Sequence, residues 1–301
     1  MLIAGHFASS AFFTPFNLLS LMRLSSIMAF LVLGEALVIL TKGIDLSVGW
    51  VASLSTVVIA AVNQSFDGAL NPIPLAILAI FCALALGSFL GFINGISVAI
   101  LQINPLIVTL AGMWIAQGVA MYILRGIPVS ITITEFTNLG QMKILKYIPV
   151  IMIILIAFAL FLFFILNKNR FGRYLYALGG NEYAAYLSGI NINTIKIIVY
   201  ALSGFLASFG GMMMATWTKT GDEAAMAGYE LTSICAVVMG GIALTGGEGN
   251  ILDAVLGSYI LIILRKLLIY TGINPWLFDF FVGLILLGSV YFIQGRKKSI
   301  R

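Results

Sequence analysis

Apolar runs long enough to cross a bilayer recur along the whole chain, at roughly 24–41, 46–63, 75–99, 106–124, 148–166, 194–216, 230–246, 251–270 and 276–293. A helix needs about 20 mostly apolar residues to cross the hydrocarbon layer, and a bilayer admits only helices or closed barrels. These runs predict an all-α, polytopic transmembrane bundle of about nine spans forming a single domain, residues 1–301. Charge is too scarce for the alternative, an apolar core under a polar coat. Only 9% of residues are charged and 61% are hydrophobic, whereas soluble domains carry about 25% charged residues. Pro72, Pro74, Pro105, Pro149 and Pro275 mark where helices start or stop. Gly87 to Gly91 and Gly204 to Gly211 lie inside spans. Small residues there predict faces on which helices approach closely.

The few charges speak to orientation. The net charge is +5, and the basic residues gather at span ends and at the C-terminus. That pattern orients spans in a membrane and argues against nucleic acid as a partner. Lys168, Arg170 and Arg173 lie in the longest basic connection, 167–193, and Arg296, Lys297, Lys298 and Arg301 lie in the tail. Four expected spans separate the two, so both face one side, and the positive-inside rule makes it cytoplasmic. The loops near 64–74, 125–147 and 217–228 fall opposite, with Asp67, Glu135, Asp222 and Glu223 beside Arg125, Lys143, Lys146 and Lys219. Five spans before the basic loop leave the N-terminus outside, so one further span is expected upstream. Cys82 and Cys235 each sit within an apolar run, as small buried hydrophobes do, and His6 is the one histidine, too few for a metal site.

Polar chemistry concentrates in a few places. In KGIDLSVG, 42–49, Asp45 and Ser47 stand at a span boundary between two flexible glycines. Locally they read as a helix N-cap; a break between adjacent spans is also where transporters place mobile elements. In FGRYLYALGGNEYAAYLSGIN, 171–191, Asn181 can cap a short helix whose start Glu182 complements. Ala184, Ala185 and Leu187 give it a small apolar face, and Gly189 ends it. An interfacial helix would show bulkier anchors; a face this small suits a protein groove better. GGIALTGGEGN, 240–250, reads as a tight turn between packed spans. It lacks the lysine and hydroxyl of a phosphate-binding loop, as does the rest of the chain. This chain is therefore expected to bind no cofactor and to be no enzyme, with any ATP and magnesium on another polypeptide. Glu35 lies inside a span, where a charge costs roughly 2.5–3.5 kcal/mol. It faces either a polar cavity or a neighbouring backbone group. Arg265 and Lys266 lie in the outer part of their span and are expected to snorkel. Asn94, Asn104, Thr109 and Gln117 are further polar residues placed to line a passage.

GIDLSVG (43–49), NPLIVTLAGM (104–113), GRYLYALGGNEYAAYLSGIN (172–191), YEL (229–231) and GGIALTGGEGN (240–250) follow one another in an order and spacing that resembles the permease family of bacterial ribose-type sugar importers. The likeness runs from Phe13 onward. It implies an inner-membrane subunit forming the passage for a monosaccharide or similar small polar solute. It implies as partners a cytoplasmic two-domain ATPase, a periplasmic or lipid-anchored substrate-binding protein, and a second permease copy or a paralogue. It also implies that 172–191 holds the helix coupling ATPase motion to the spans, with Arg173, Gly179, Gly180, Asn181, Glu182, Ala184, Ala185 and Gly189 at the contact, and it adds Glu230 to the pathway candidates. Similar permeases serve galactose, xylose, nucleosides and other small solutes, so a non-sugar solute is the alternative. A less favoured one is an ion-coupled secondary transporter, which needs paired intramembrane charges. Family members usually begin with one more span. They tend to carry an acid where Thr232 stands and a basic residue where Glu248 stands.

With Cys82 and Cys235 replaced, single cysteines at Asn181 and Ser299 are expected to resist an impermeant thiol reagent in intact cells and to react after permeabilisation. Labelling of either from outside overturns this orientation.

Overall fold

The computed structural model describes residues 12–66, 68–274 and 277–298; His6, Asp67, Pro275, Ser299 and Arg301, discussed above, lie outside the described residues. Helices α1 (Pro15–Leu40), α2 (Val48–Phe66), α3 (Pro72–Ala99) and α4 (Pro105–Leu124) come first. Next are β1 (Val129–Ser130), α5 (Thr134–Gln141), β2 (Lys143–Ile144), β3 (Ile148–Pro149) and α6 (Val150–Lys168). Helices α7 (Arg170–Gly180), α8 (Glu182–Leu187) and α9 (Ile192–Thr218) precede β4 (Thr220–Gly221), and α10 (Tyr229–Met239), α11 (Ile251–Tyr270) and α12 (Leu277–Lys298) complete the chain. Prolines stand in the first turns of α1, α3 and α4, where their missing N–H costs nothing.

Among the described residues six helices, α1, α2, α3, α4, α6 and α9, are long and apolar enough to cross a membrane. Two of the other expected spans differ. Helix α11 has the length, 20 residues, but carries Asp253, Arg265 and Lys266. Helix α12 is 22 residues long and is apolar from Leu277 to Gly288 among the residues whose side chains are described. The run expected at 230–246 stops at Met239, because Gly240 and then Gly241, at φ +83°, turn the chain. The 11 residues of α10 reach only about 16 Å, half the hydrocarbon thickness.

Irregular chain precedes α10 and lies along the middle of α2. The Asp222 N–H donates to Thr56 Oγ1 (3.0 Å), which donates to the Asp222 carbonyl (2.9 Å). The Met226 N–H donates to Ser53 Oγ at 2.9 Å. Non-helical backbone survives at membrane depth only when the protein satisfies it, and α2 supplies those partners.

Two environments separate the helices. Every side chain of α1 from Ser25 to Leu40 is buried, so α1 is an inner pillar. Helix α9 packs on α1, α2 and α3. Helices α3, α4 and α6 turn large apolar residues outward, among them Phe81, Phe89, Trp114 and Phe161. On a soluble protein that surface would be untenable; in lipid it is the stable one. Phe30, Phe158 and Phe209 join α1, α6 and α9 at centroid distances of 4.8–5.7 Å.

The expected small-residue faces meet each other. A Cβ at Gly91 would collide with the Tyr200 carbonyl, and one at Gly204 with the Gly87 carbonyl. Backbones of α3 and α9 thus touch without side chains between them, as lipid-embedded helices do where small residues align. At one end of the bundle β1 pairs antiparallel with β4, and β2 with β3. At the end beyond α6 lie α7 and α8.

Gly204→Val is expected to destabilise the purified protein by several kcal/mol, beyond the roughly 1–3 kcal/mol of ordinary overpacking, because backbone must move. Gly118→Ala, where a Cβ meets nothing within 4 Å, is expected to leave the melting temperature in detergent within about 1 °C. Equal effects would show that the α3–α9 contact is not a close one.

Candidate functional site

The segment after α1 is neither an exposed loop nor a continuation of the helix. Thr41 closes α1 by donating its N–H and hydroxyl to the Val38 carbonyl (3.0 and 2.8 Å). Lys42 takes φ +65°, and a Cβ at Gly43 would strike the Tyr200 hydroxyl and Val38. The chain therefore re-enters the bundle beside α1, and the Asp45 N–H donates to Glu35 Oε1 at 3.2 Å.

Around that break a polar knot forms. Asp45 Oδ1 accepts the Ser47 N–H (3.0 Å) and hydroxyl (2.6 Å), and Oδ2 accepts the Ser203 hydroxyl at 2.8 Å. Asn94 Nδ2 donates to Ser47 Oγ at 3.1 Å. The Ile44 carbonyl accepts from Thr109 Oγ1 (3.3 Å) and Tyr200 OH (3.4 Å). Glu35, Asp45, Thr109 and Ser203 are all fully buried. Removing a carboxylate from water is costly unless donors surround it. Asp45 has three donors. Glu35 has one, and its Oε2 has no hydrogen-bond partner among the described residues.

The arrangement ties helices together instead of presenting a reaction centre. It joins α1, α3, α4 and α9 to the segment leading into α2, so none can shift without exchanging partners. No group of three metal-binding side chains occurs among the described residues. Glu35 and Asp45 are the kind of paired acids an ion-coupled carrier uses, but both are sealed from solvent and bonded to backbone or hydroxyls.

Of the pathway candidates, Glu35, Asp45, Ser47, Asn94 and Thr109 come together. Asp45 accepts the N–H of Ser47, just ahead of α2 and not within its first turn, and Glu35 faces a backbone group and not a cavity. Asn104 caps α4, accepting the Leu106 N–H at 2.9 Å, and borders a cleft of about 480 Å³ with Lys42 and Ile44. Gln117 lies about two turns beyond Thr109 on α4, outside the knot and half-buried. Glu230 lies elsewhere, on the first turn of α10, where a Cβ at Gly49 would strike its carboxyl. Tyr200, Ser203, Ser53 and Thr56 escaped the sequence reading. Their signal is weak: Tyr200 and Ser203 are isolated hydroxyls in an apolar helix, Ser203 beside a glycine, and Ser53 and Thr56 share a short hydroxyl cluster with Ser55. Thr232 returns its hydroxyl to the Gly228 carbonyl. Arg265 lies over the rings of Tyr229 (5.9 Å) and Phe278 (5.4 Å), and Lys266 reaches Ser20 Oγ at 3.3 Å.

The loop beyond α6 folds as the short helix α8. Asn181 Oδ1 accepts the Ala184 N–H at 3.1 Å, Glu182 pairs with Lys196 at 2.6 Å, and Gly189 takes φ +79°. One expectation fails. Ala185 does not belong to the outward face; its side chain points inward and is 3% exposed. Tyr183, Tyr186 and Leu187, spaced three and four apart, are the exposed apolar residues. Ala184 and Arg173 are also exposed.

Helix α7 is stitched to the break. A Cβ at Gly179 would strike the Leu40 carbonyl, the same oxygen that accepts the Gly247 N–H at 3.0 Å. Lys42 Nζ donates to the Gly180 carbonyl (3.2 Å), and Tyr176 OH donates to the Gly249 carbonyl (2.9 Å). The glycine-rich turn is tight, with Gly246, Gly247 and Gly249 at φ +73°, +77° and +129°. The end of α1, the tip of α7 and this turn therefore meet at one junction.

Asp45→Ala strips the acceptor from three buried donors, at about 1–3 kcal/mol for each left unsatisfied. It is expected to lower stability in detergent clearly. Glu35→Gln keeps an oxygen for the Asp45 N–H and is expected to change stability by less than about 1 kcal/mol. Equal melting of the two variants would show that Asp45 does not hold the break.

Known proteins place this architecture. Residues 17–290 match the family model described as the branched-chain amino acid transport system / permease component. The ribose import permease of Escherichia coli (strain K12) is 37% identical over 293 residues, 96% of this chain and 89% of that protein. The galactose/methyl galactoside import permease of the same strain is 34% identical over 298 residues, 94% and 88%. The ribose import permease of Bacillus subtilis (strain 168) is 34% identical over 291 residues, 96% and 87%. No solved structure matches the chain. With the family model covering almost its whole length and relatives this similar over the same span, the chain is a multi-pass membrane protein that belongs to the branched-chain amino acid transport system / permease component family.

Proposed function

We propose that this chain is the permease subunit of an ATP-driven importer carrying a monosaccharide across a bacterial inner membrane. The observation that carries the reading is the near full-length similarity to ribose and galactose import permeases. The interior suits such a solute. A sugar is neutral and rich in hydroxyls, so its passage needs hydrogen-bonding groups more than charges. Among the described residues the buried polar side chains are mostly those of serine, threonine and asparagine.

In this reading a separate two-domain ATPase docks on α8, a binding protein delivers the solute on the other side, and a second permease completes the passage. The docking face is Tyr183, Tyr186 and Leu187, which are 71%, 65% and 67% exposed. Movement of α8 carries α7, and the contact of Gly179 with Leu40 and Gly247 hands that movement to the break and its polar knot. A junction with no side chain between backbones transmits displacement stiffly.

The test is uptake of labelled ribose and galactose by cells expressing the permease with its ATPase and binding protein. Tyr186→Asp with Leu187→Asp is expected to cut uptake at least tenfold and to lose the ATPase on co-purification, while the permease accumulates normally. Ala185→Asp is expected to lower accumulation itself, because it buries an unpaired charge. If the double variant transports and co-purifies like the parent, α8 is not the docking element. If neither sugar enters but the ATPase still co-purifies, the solute is of another class.

A further inference from the structure

Outside the knot and the docking face, one groove combines an apolar floor with a charged mouth. It lies where α6 ends, against α9, and has a volume of about 690 Å³. Phe161, Ile165, Ile198 and Leu202 form its wall, and Asn169 and Arg170 stand at its mouth. Its shape follows from the local fold. Asn169 leaves helical geometry, and a Cβ at Gly172 would collide with the Leu166 backbone. Helix α7 therefore turns sharply off α6 and leaves a slot. The floor continues onto the outward face of α6, where Phe161 and Phe164 are 61% and 59% exposed.

Charge at the mouth is one-sided. Arg170 stands at the mouth, and Lys168 and Arg173 lie two and three residues from it along the chain, all exposed. Glu182 is the one acid between 167 and 193, and it is taken by Lys196. None of the three cations has a carboxylate partner among the described residues. Basic pockets between membrane helices at the level of the headgroups hold anionic lipids.

We propose that this groove binds an anionic glycerophospholipid. One acyl chain lies along Phe161, Ile165, Ile198 and Leu202, and the phosphate sits at Arg170 with Lys168 and Arg173 beside it. The proposal rests on the membrane placement of α6 and α9 and not on which solute is carried. A lipid held there would brace the base of α7.

The test uses the purified full chain, delipidated in detergent, and native mass spectrometry of its lipid adducts. Phosphatidylglycerol and phosphatidylcholine with identical acyl chains are the probes. The parent is expected to retain phosphatidylglycerol at least fivefold better. Lys168→Gln with Arg170→Gln is expected to abolish that preference. Ile198→Trp, which fills the groove, is expected to reduce the phosphatidylglycerol adduct while leaving the protein monodisperse, and it stands as the test if the charge variant fails to accumulate. Lys143→Gln with Lys146→Gln, at the other end of α6, is expected to change nothing. Equal retention of the two lipids overturns the proposal, as does an unaltered preference in the charge variant or an undiminished adduct in Ile198→Trp. Displacement by free glycerol 3-phosphate also overturns it, since the site would then be a phosphate site without an acyl chain. So does a cysteine cross-link between copies through position 198 in native membranes, which would make the groove an interface.

Discussion

In hydrocarbon an unpaired backbone N–H or C=O has no water to turn to, and the interior of this bundle is arranged around that constraint. The two irregular stretches inside it, 41–47 and Asp222–Gly228, each bring backbone groups that a helix would have satisfied. The polar side chains of the inner helices lie where those groups need partners. Glu35 takes the Asp45 N–H, Thr109 and Tyr200 reach the Ile44 carbonyl, and Thr56 and Ser53 take Asp222 and Met226. Helices with nothing irregular beside them, such as α6, have an almost wholly apolar sequence. Much of the polarity in this interior follows the breaks, while Ser25, Ser26, Ser208 and Ser258 are buried away from them.

Those breaks also give the bundle places to move. A continuous helix resists bending, whereas a re-entrant segment held by side chains can exchange one set of partners for another. Asp45 stands among donors from different elements, Ser47 and Ser203, and Asn94 sits one bond farther out. The Leu40 carbonyl, meanwhile, meets both Gly179 and Gly247. The stiff junction and the exchangeable knot are only a few residues apart along the chain, at 40–47. Under the docking proposed for α8, that proximity would turn a displacement of α7 into a change of hydrogen bonding at the knot.

Much of this was legible in the sequence, for reasons that differ by element. Length and lack of charge identify α1 to α4, α6 and α9, because lipid enforces both. The glycine spacing at Gly87–Gly91 and Gly204–Gly211 marks a close crossing, because little else explains glycine in a span. The run 230–246 misleads because apolar character continues through Gly240 and Gly241, where the backbone turns. The stretch before α10 looks like an ordinary loop, since partners on α2 are invisible along the chain. The same holds for Ser203 and Tyr200, whose roles depend on which helix lies opposite. The inward side of Ala185 was not legible, because a helix of six residues has too few turns for composition to fix which side is out.

Helix α3 extends this into the bilayer itself. Its 28 residues make a rod roughly 42 Å long, about 12 Å more than the hydrocarbon layer it crosses. A span that long leans, thickens the lipid around it or runs its ends into the headgroup layers, and any lean tracks membrane thickness. Since α3 rests on α9 through bare backbone at Gly91 and Gly204, no flexible side chain absorbs a change of tilt. Ser203 sits next to Gly204, so the acyl-chain length of the surrounding lipid bears on a hydrogen bond buried at the centre of the protein.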